Sequence, residues 1–400
     1  MLSSFFRKGG RHIGAIIDID SGSIGGALVL FEDAQSPRIL YGTRVDIRPD
    51  VSRENPEGLY IALETLRKRL ETAGMGAVAV LPHRELRVTH TNIVFSAPWE
   101  QTTVSHHVKT FDTETVITDA HVKEQIEEAK KEIHDSEVAI THTIVHSRVN
   151  GYEVHELLGA RGKRFETTIL TSVIQKNILE EATSRIKNIF HFDEIFYRAA
   201  PLILFDGIRS IFPHEKEFLF VSIRGEVTEI GMVHGGTFVA LNTMPFGRET
   251  FLRMVSGDTS ASRTSLKETF SLTKEGLINE ERNAILAKRS EGVEDSWKNT
   301  FCDVVESMAK NHPLPDTLFL VAERDARSFF GSIIASCDIG RLRLVDRPFR
   351  QILLEEKHVA PFLTISDHAE PDIFIELLSL FSHTPTIPQG IASRPFLKLW

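Results

Sequence analysis

The chain of 400 residues has only two cysteines, Cys302 and Cys337, and four tyrosines beside 26 phenylalanines. Two thiols cannot build a disulfide framework or a metal cluster, so they read as ordinary reduced cysteines of a cytoplasmic protein. An excess of positive charge is also lacking. Lys plus Arg number 46 against 55 for Asp plus Glu, a net charge of −9, which argues against a nucleic-acid backbone as partner. No uninterrupted apolar run reaches the ~18 residues needed to span a bilayer. The best, Ile13 to Phe31, is broken by Asp18, Asp20 and a Ser/Gly cluster. The start, Phe5-Phe6-Arg7-Lys8, has too little apolar sequence behind it for a signal peptide. The expected location is therefore the cytoplasm. Arg7, Lys8 and Arg11 offer at most a peripheral contact with the inner face of the cell membrane. There is no Walker lysine, no Gly-x-Ser-x-Gly elbow and no zinc ribbon, and the 17 histidines show no ligand spacing.

With 42% hydrophobic and 25% charged residues, the composition is that of two or more globular domains. Residues 13–31 read as a buried strand, a polar Asp/Ser/Gly turn and a second buried strand. Tyr41 to Ile47 reads as a third. Asn55-Pro56 then opens a helix with Leu59, Leu63, Leu66 and Leu70 at helical spacing, ended by Gly74. Residues 77–81 (AVAVL) resume a buried strand.

From about 84 to 165 the texture changes. Alternating segments (Leu86 to Phe95, Val138 to Val149, Tyr152 to Leu158) surround one helix, Thr118 to Ile133. The run Glu124 to Glu132 on that helix reads as its solvated face. This is the pattern of a small α+β insertion. Residues 167–171 return to strand, and Val173 to Ile189 carries a helical apolar stripe. The opening theme recurs at 217–246: Phe218 to Ile223, Val227 to Val233, a Gly235-Gly236 turn, and Thr237 to Met244. A polar helical region then runs from Gly247 to Lys310. Leu318 to Ala322 is a strand, Asp325 to Ser336 a helix, and the chain past 385 reads as loop.

Two strand–turn–strand modules about two hundred residues apart, the first bearing Asp18-Ile19-Asp20-Ser21-Gly22-Ser23, resemble the actin-like ATPase superfamily, and within it the FtsA and PilM branch. The resemblance implies a duplicated, ribonuclease H-like α/β fold. Residues 11–83 and 166–215 would form the first lobe and 84–165 an inserted α+β subdomain. The second lobe would be 216–385, with a helical part at about 248–310, followed by a tail at 386–400. It also implies ATP and Mg²⁺ as cofactors. The first phosphate loop would be Asp18, Asp20, Ser21, Gly22 and Ser23, with Asp18 facing the metal. Gly225 and Thr228 would supply the second. Gly and Ser suit such a loop because their amides and hydroxyls approach an anion closely, and a carboxylate at a strand end can hold Mg²⁺ through water.

The departures from the family pattern are equally specific. Asp20 stands where the family has glycine, and Ser222-Ile223-Arg224-Gly225 stands where it has Asp-x-Gly-Gly. Val321-Ala322-Glu323-Arg324 replaces its adenosine Gly-Gly. With the metal-organising carboxylate gone, hydrolysis is expected to be weak or lost, and Arg224 reads as an exposed loop arginine. The expected function is an FtsA-like adaptor in bacterial cell division; the alternative is a PilM-like scaffold of type IV pilus assembly. A sugar kinase or Hsp70-like ATPase on the same fold is disfavoured by the missing carboxylate. The partners would be proteins of the divisome or pilus machinery, with self-association open. They would be met on an edge strand of the insertion, Val138 to Val149 or Tyr152 to Leu158, or failing that by the terminal Phe396 to Trp400.

Overall fold

The computed structural model describes residues 11–33, 35–47, 55–81, 87–154, 156–187, 194–256, 280–339 and 350–383, the side chains of 280–289 excepted. The tail at Phe396 to Trp400 and the basic start at Arg7 and Lys8 lie outside the described residues.

Strands β1 (His12–Ile19), β2 (Ser23–Phe31) and β3 (Arg38–Asp46) form an antiparallel meander. Every residue of β2 is buried, because both faces of this sheet are covered; that is why its sequence is continuously apolar rather than alternating. Helix α1 (Glu57–Arg69) follows and lays Leu59, Leu63 and Leu66 on the sheet. It does not stop at Gly74. The chain runs through a wide turn of helix at Leu70–Gly74 into α2 (Met75–Ala79), so the AVAVL segment expected as a strand is helical, and Val80 is 74% exposed. A five-residue apolar run carries no period that separates strand from helix. Strand β4 (Val88–Phe95) then pairs parallel with β1.

An inserted sheet comes next. It contains β5 (Glu100–Val116), helix α3 (Asp119–Lys130), β6 (Glu137–Val149), the two-residue β7 (Tyr152–Glu153) and β8 (Arg161–Gln175), in the order β5-β8-β6-β7. Thr118 precedes α3 in extended conformation. The sequence boundaries at 84 and 165 thus move: Val88 to Phe95 is a strand of the first lobe, and β8 stays in the inserted sheet to Gln175. The shift at the first boundary has a physical cause. β4 is flanked by β1 and β9 and covered on both faces, yet its Thr89, His90, Thr91 and Asn92 form an unbroken polar run. The expected edge at Val138 to Val149 is revised only at its end, where Arg148 and Val149 pair with β7; the rest of β6 pairs on one side alone, with β8. The β6 register skips Val145, which bulges out of the ladder against the interlobe core.

Helix α4 (Lys176–Lys187), strand β9 (Glu194–Ala199) and helix α5 (Ala200–Ile211) complete this part of the first lobe. The second lobe repeats the first. Strands β10 (Phe218–Ile223), β11 (Thr228–His234) and β12 (Thr237–Met244) form a meander through a turn at Gly235 and Gly236, both with positive φ. Helix α6 (Arg248–Ser256), helix α7 (Glu280–Ala309), strand β13 (Thr317–Ala322), helix α8 (Arg327–Ala335) and strand β14 (Arg350–Leu353) follow. β13 pairs parallel with β10 as β4 does with β1, so β3-β2-β1-β4 and β12-β11-β10-β13 are the same topology twice.

After the short helix α9 (Glu356–Val359) the chain returns to the first lobe, which moves the second-lobe boundary expected at 385. Strand β15 (Thr364–Ile365) pairs with β3, and helix α10 (Ile373–His383) packs against β1, β2 and α5. α5 and α10 lie between the two sheets in one core. Phe205, Phe218, Phe220, Phe238 and Phe319 meet there ring against ring, stacked, tilted or edge-on, with centroid separations of 5.2–5.4 Å. A buried phenylalanine supplies this contact area with no hydroxyl to satisfy, which accounts for much of the excess of Phe over Tyr.

Candidate functional site

The β1–β2 hairpin and the β10–β11 hairpin occupy equivalent places in the two lobes and meet head to head. Asp18 closes β1 with no exposure at all. Its Oδ2 accepts from Arg44 Nη2 at 2.8 Å and from Arg224 Nη1 at 2.9 Å. Burial pushes the Asp18 carboxyl up, but the Arg224 and Arg44 charges outweigh it and hold the group below the usual range. Asp20 is 2% exposed. There burial wins over Arg224, and the neighbouring Asp18 charge adds to it, so its pKa is raised.

Arg224 is the main correction to the sequence reading: it is buried, 3% exposed. Its guanidinium lies 3.5 Å from the ring centroid of Phe374 on α10, a cation–π contact strengthened by desolvation. Arg44 completes the setting: its Nε donates to Asp372 Oδ2 at 2.7 Å and its Nη1 to Ser23 Oγ at 3.0 Å. Asp372 Oδ1 accepts the amides of Phe374 and Ile375 at the start of α10, as acidic residues do at helix N-termini.

The backbones also touch. Gly225 N–H donates to Asp20 Oδ2 at 3.2 Å, and Glu226 N–H donates to Ser21 Oγ at 2.8 Å. A Cβ on Gly225 would lie 2.3 Å from Gly22 N, and one on Gly22 would lie 2.8 Å from Gly225 Cα. Glycine at both positions is therefore required by the approach of the loops to each other. Ser21 Oγ also donates to Asp20 Oδ1 at 3.0 Å. Helix α6 holds the second hairpin from behind, with the amides of Arg248 and Glu249 donating to the carbonyls of Arg224 and Gly225.

The structure thus brings together Asp18, Asp20, Ser21, Gly22 and Gly225, and ties Ser23 to them through Arg44. Thr228 stands apart, its hydroxyl donating to Phe246 O at 2.9 Å. Where the adenosine motif was sought, Glu323 follows β13 with Arg248 Nη1 3.5 Å away, and Arg248 also pairs with Asp325. Sequence reasoning missed Arg44, Asp372, Phe374 and Glu229. The available signal was an arginine set in a strand of buried residues, Thr43-Arg44-Val45.

The resemblance would put the phosphates of a nucleotide between the two hairpins, and as placed these residues do not fit them. The Gly225 and Glu226 amides are spent on Asp20 and Ser21, the glycine backbones are in contact, and both arginines are committed to carboxylates. What this arrangement does chemically is hold two lobes together.

A second concavity, about 330 Å³, lies between the inserted sheet and the β11–β12 hairpin. It is lined by His106, His146, His234, His312, Glu153 and Glu166 among others. Among the described residues no His, Cys, Asp or Glu group has the geometry to hold a metal.

Two lobes built on one repeated meander, with their hairpins facing across the junction, define the actin-like ATPase fold. No protein-family model matches the sequence, and no curated protein sequence does. Among solved structures the chain is similar to a PilM–PilN type IV pilus biogenesis complex, with a TM-score of 0.61 and 10% identity over 92% of this chain and 96% of that one. Fainter likeness extends to a Bacteroides thetaiotaomicron protein of actin-like ATPase fold (TM-score 0.42, 9% identity, 92% and 95% covered). The ethanolamine utilization protein EutJ from Carboxydothermus hydrogenoformans is comparable (0.44, 12%, 93% and 89%).

Proposed function

We propose that this chain is a scaffold of the PilM kind, a cytoplasmic platform of pilus assembly or a related secretion machine at the inner face of the cell membrane, with weak or lost ATP hydrolysis. The observation that carries the reading is the likeness over 92% of the chain to a pilus biogenesis complex. The site supports the loss of hydrolysis, because Ser222 and Arg224 stand where the family's second loop keeps a carboxylate and glycines. ATP and Mg²⁺ are accordingly not required for the proposed role. No helix among the described residues is long and apolar enough to cross a membrane. The division adaptor takes second place, since the likeness that carries the reading is to a pilus complex.

The test is affinity capture of the tagged full-length chain from its native cells after in vivo crosslinking. Recovery of inner-membrane pilus or secretion components supports the proposal. Recovery of division proteins in their place overturns it in favour of the adaptor reading.

A further inference from the structure

Arg224 leaves the second lobe at the end of β10, yet everything that grips its side chain belongs to the first lobe. Asp18 ends β1, and Phe374 lies on α10, the helix that packs on β1 and β2. This socket is built rather than incidental. Arg44 holds Asp18 on one side and Asp372 on the other, and Asp372 fixes the start of α10 and hence the Phe374 ring. A fully buried carboxylate whose Oδ2 is shared by two guanidiniums has its charge neutralised, which leaves it a poor ligand for a divalent cation even though its Oδ1 has no hydrogen-bond partner. Around the socket the hairpins are joined by the Gly225–Asp20 and Glu226–Ser21 bonds, with glycine backbones in contact.

We propose that Arg224 is a tethered substitute for the metal ion, a cation supplied by the chain itself that holds the two lobes closed and occupies the place a nucleotide's phosphates would need. The lobes of this protein are then closed without a ligand, and nucleotide and Arg224 compete for one position. This holds whatever the partner is, so it stands or falls independently of the scaffold reading.

Hydrogen exchange of the full-length chain tests it, because the Gly225 and Glu226 amides donate across the junction and report its closure directly. In the unmodified protein both amides are protected to the same degree with and without millimolar ATP and Mg²⁺, and a fluorescent ATP analogue does not bind below millimolar concentration. In Arg224→Ala the two amides exchange at least about tenfold faster while the core of β10 and β13 keeps its protection. Arg224→Met, which keeps the volume over Phe374 without the charge, gives the same direction and serves where the alanine variant fails to melt cooperatively. Three results would overturn the proposal: hairpin amides of the unmodified chain that exchange like open loop, submicromolar to submillimolar ATP binding by the unmodified chain, or a folded Arg224 variant with unchanged hairpin exchange.

Discussion

Ser222 on β10 and Glu229 on β11 stand directly opposite one another in the ladder, both fully buried, and neither the Ser222 hydroxyl nor either Glu229 carboxyl oxygen has a hydrogen-bond partner. Such a pair is costly to bury as an ionised acid. Burial accordingly pushes Glu229 up to about 7, against the pull of Arg224 and with the Asp20 and Asp18 charges adding to the rise.

The sign of the linkage follows. A carboxyl raised in the folded state stabilises the fold while protonated, and that stabilisation is lost as pH rises from the ordinary carboxyl value of 4.5 through about 7. Glu376, also raised to about 7 by burial, acts in the same direction. Glu229→Gln removes one of these losses. Thermal melts across this range should show the unmodified chain losing stability towards pH 8 and the variant losing less. The difference would be several degrees, at ~2–4 °C per kcal/mol. Parallel profiles for the two proteins would mean that Glu229 is ionised in the fold at little cost.

The acid limb is set by histidines. His90 and His142 are lowered to about 4, both chiefly by burial, with His12 and Lys130 respectively adding to the effect. A base depressed in the fold contributes stability that is present above the ordinary imidazole value of 6.5 and is lost as pH falls towards about 4. His142 Nδ1 is engaged with Thr171 Oγ1 at 3.0 Å, and its Nε2 is buried without a partner, so protonation places a charge inside the inserted sheet. His142→Gln keeps one polar contact and cannot charge. Its melting temperature should fall less steeply between pH 6.5 and 4 than that of the unmodified chain, and an unchanged slope would move the acid sensitivity to other groups.

These pairs show where sequence reading runs out. The repeated meanders were legible because buried strands are apolar throughout and their turns carry Asp, Ser and Gly; that pattern is local. The first hairpin residues were legible for the same reason. Arg224 was not, because what buries it is Phe374, 150 positions downstream in a helix that returns from the second lobe to the first. An arginine between Ile223 and Gly225 reads as loop until that return is known. β4 was misplaced because Thr89, His90, Thr91 and Asn92 form an unbroken polar run, although the strand is paired on both sides, with β1 and β9.

Restoring the missing carboxylate alone should not create an ATPase. Ser222→Asp would add an acid beside Glu229 in a fully buried site while Arg224 still fills the junction. Phosphate, metal and base contacts act together, so single restorations fall short of their sum. Steady-state phosphate release by Ser222→Asp should stay within about tenfold of background, and a fast magnesium-dependent turnover would show that the hairpins open readily in solution.

The last expectation concerns the inserted sheet as the docking element of the proposed scaffold. Its two ends are neighbours: Glu100 pairs with Ile174 across β5 and β8, so residues 100–175 can be replaced by a short Gly-Ser linker. The cut must leave β4, since removing Val88 to Phe95 would take a strand from between β1 and β9. Some stability will be lost, because Ile140 and Ile174 pack in the core shared with α1 and α4 and Leu170 in the core between the lobes, and large buried side chains are worth ~2–5 kcal/mol each. The excised chain should still melt cooperatively. What it should lose is the partner, because with α3 covering one face the sheet retains β5 as a long outer edge, seventeen residues with Val108 54% exposed, where an added strand can take up backbone hydrogen bonds. A chain that folds after excision and still captures its crosslinked partner would exclude the insertion and leave the two lobes themselves as the docking surface.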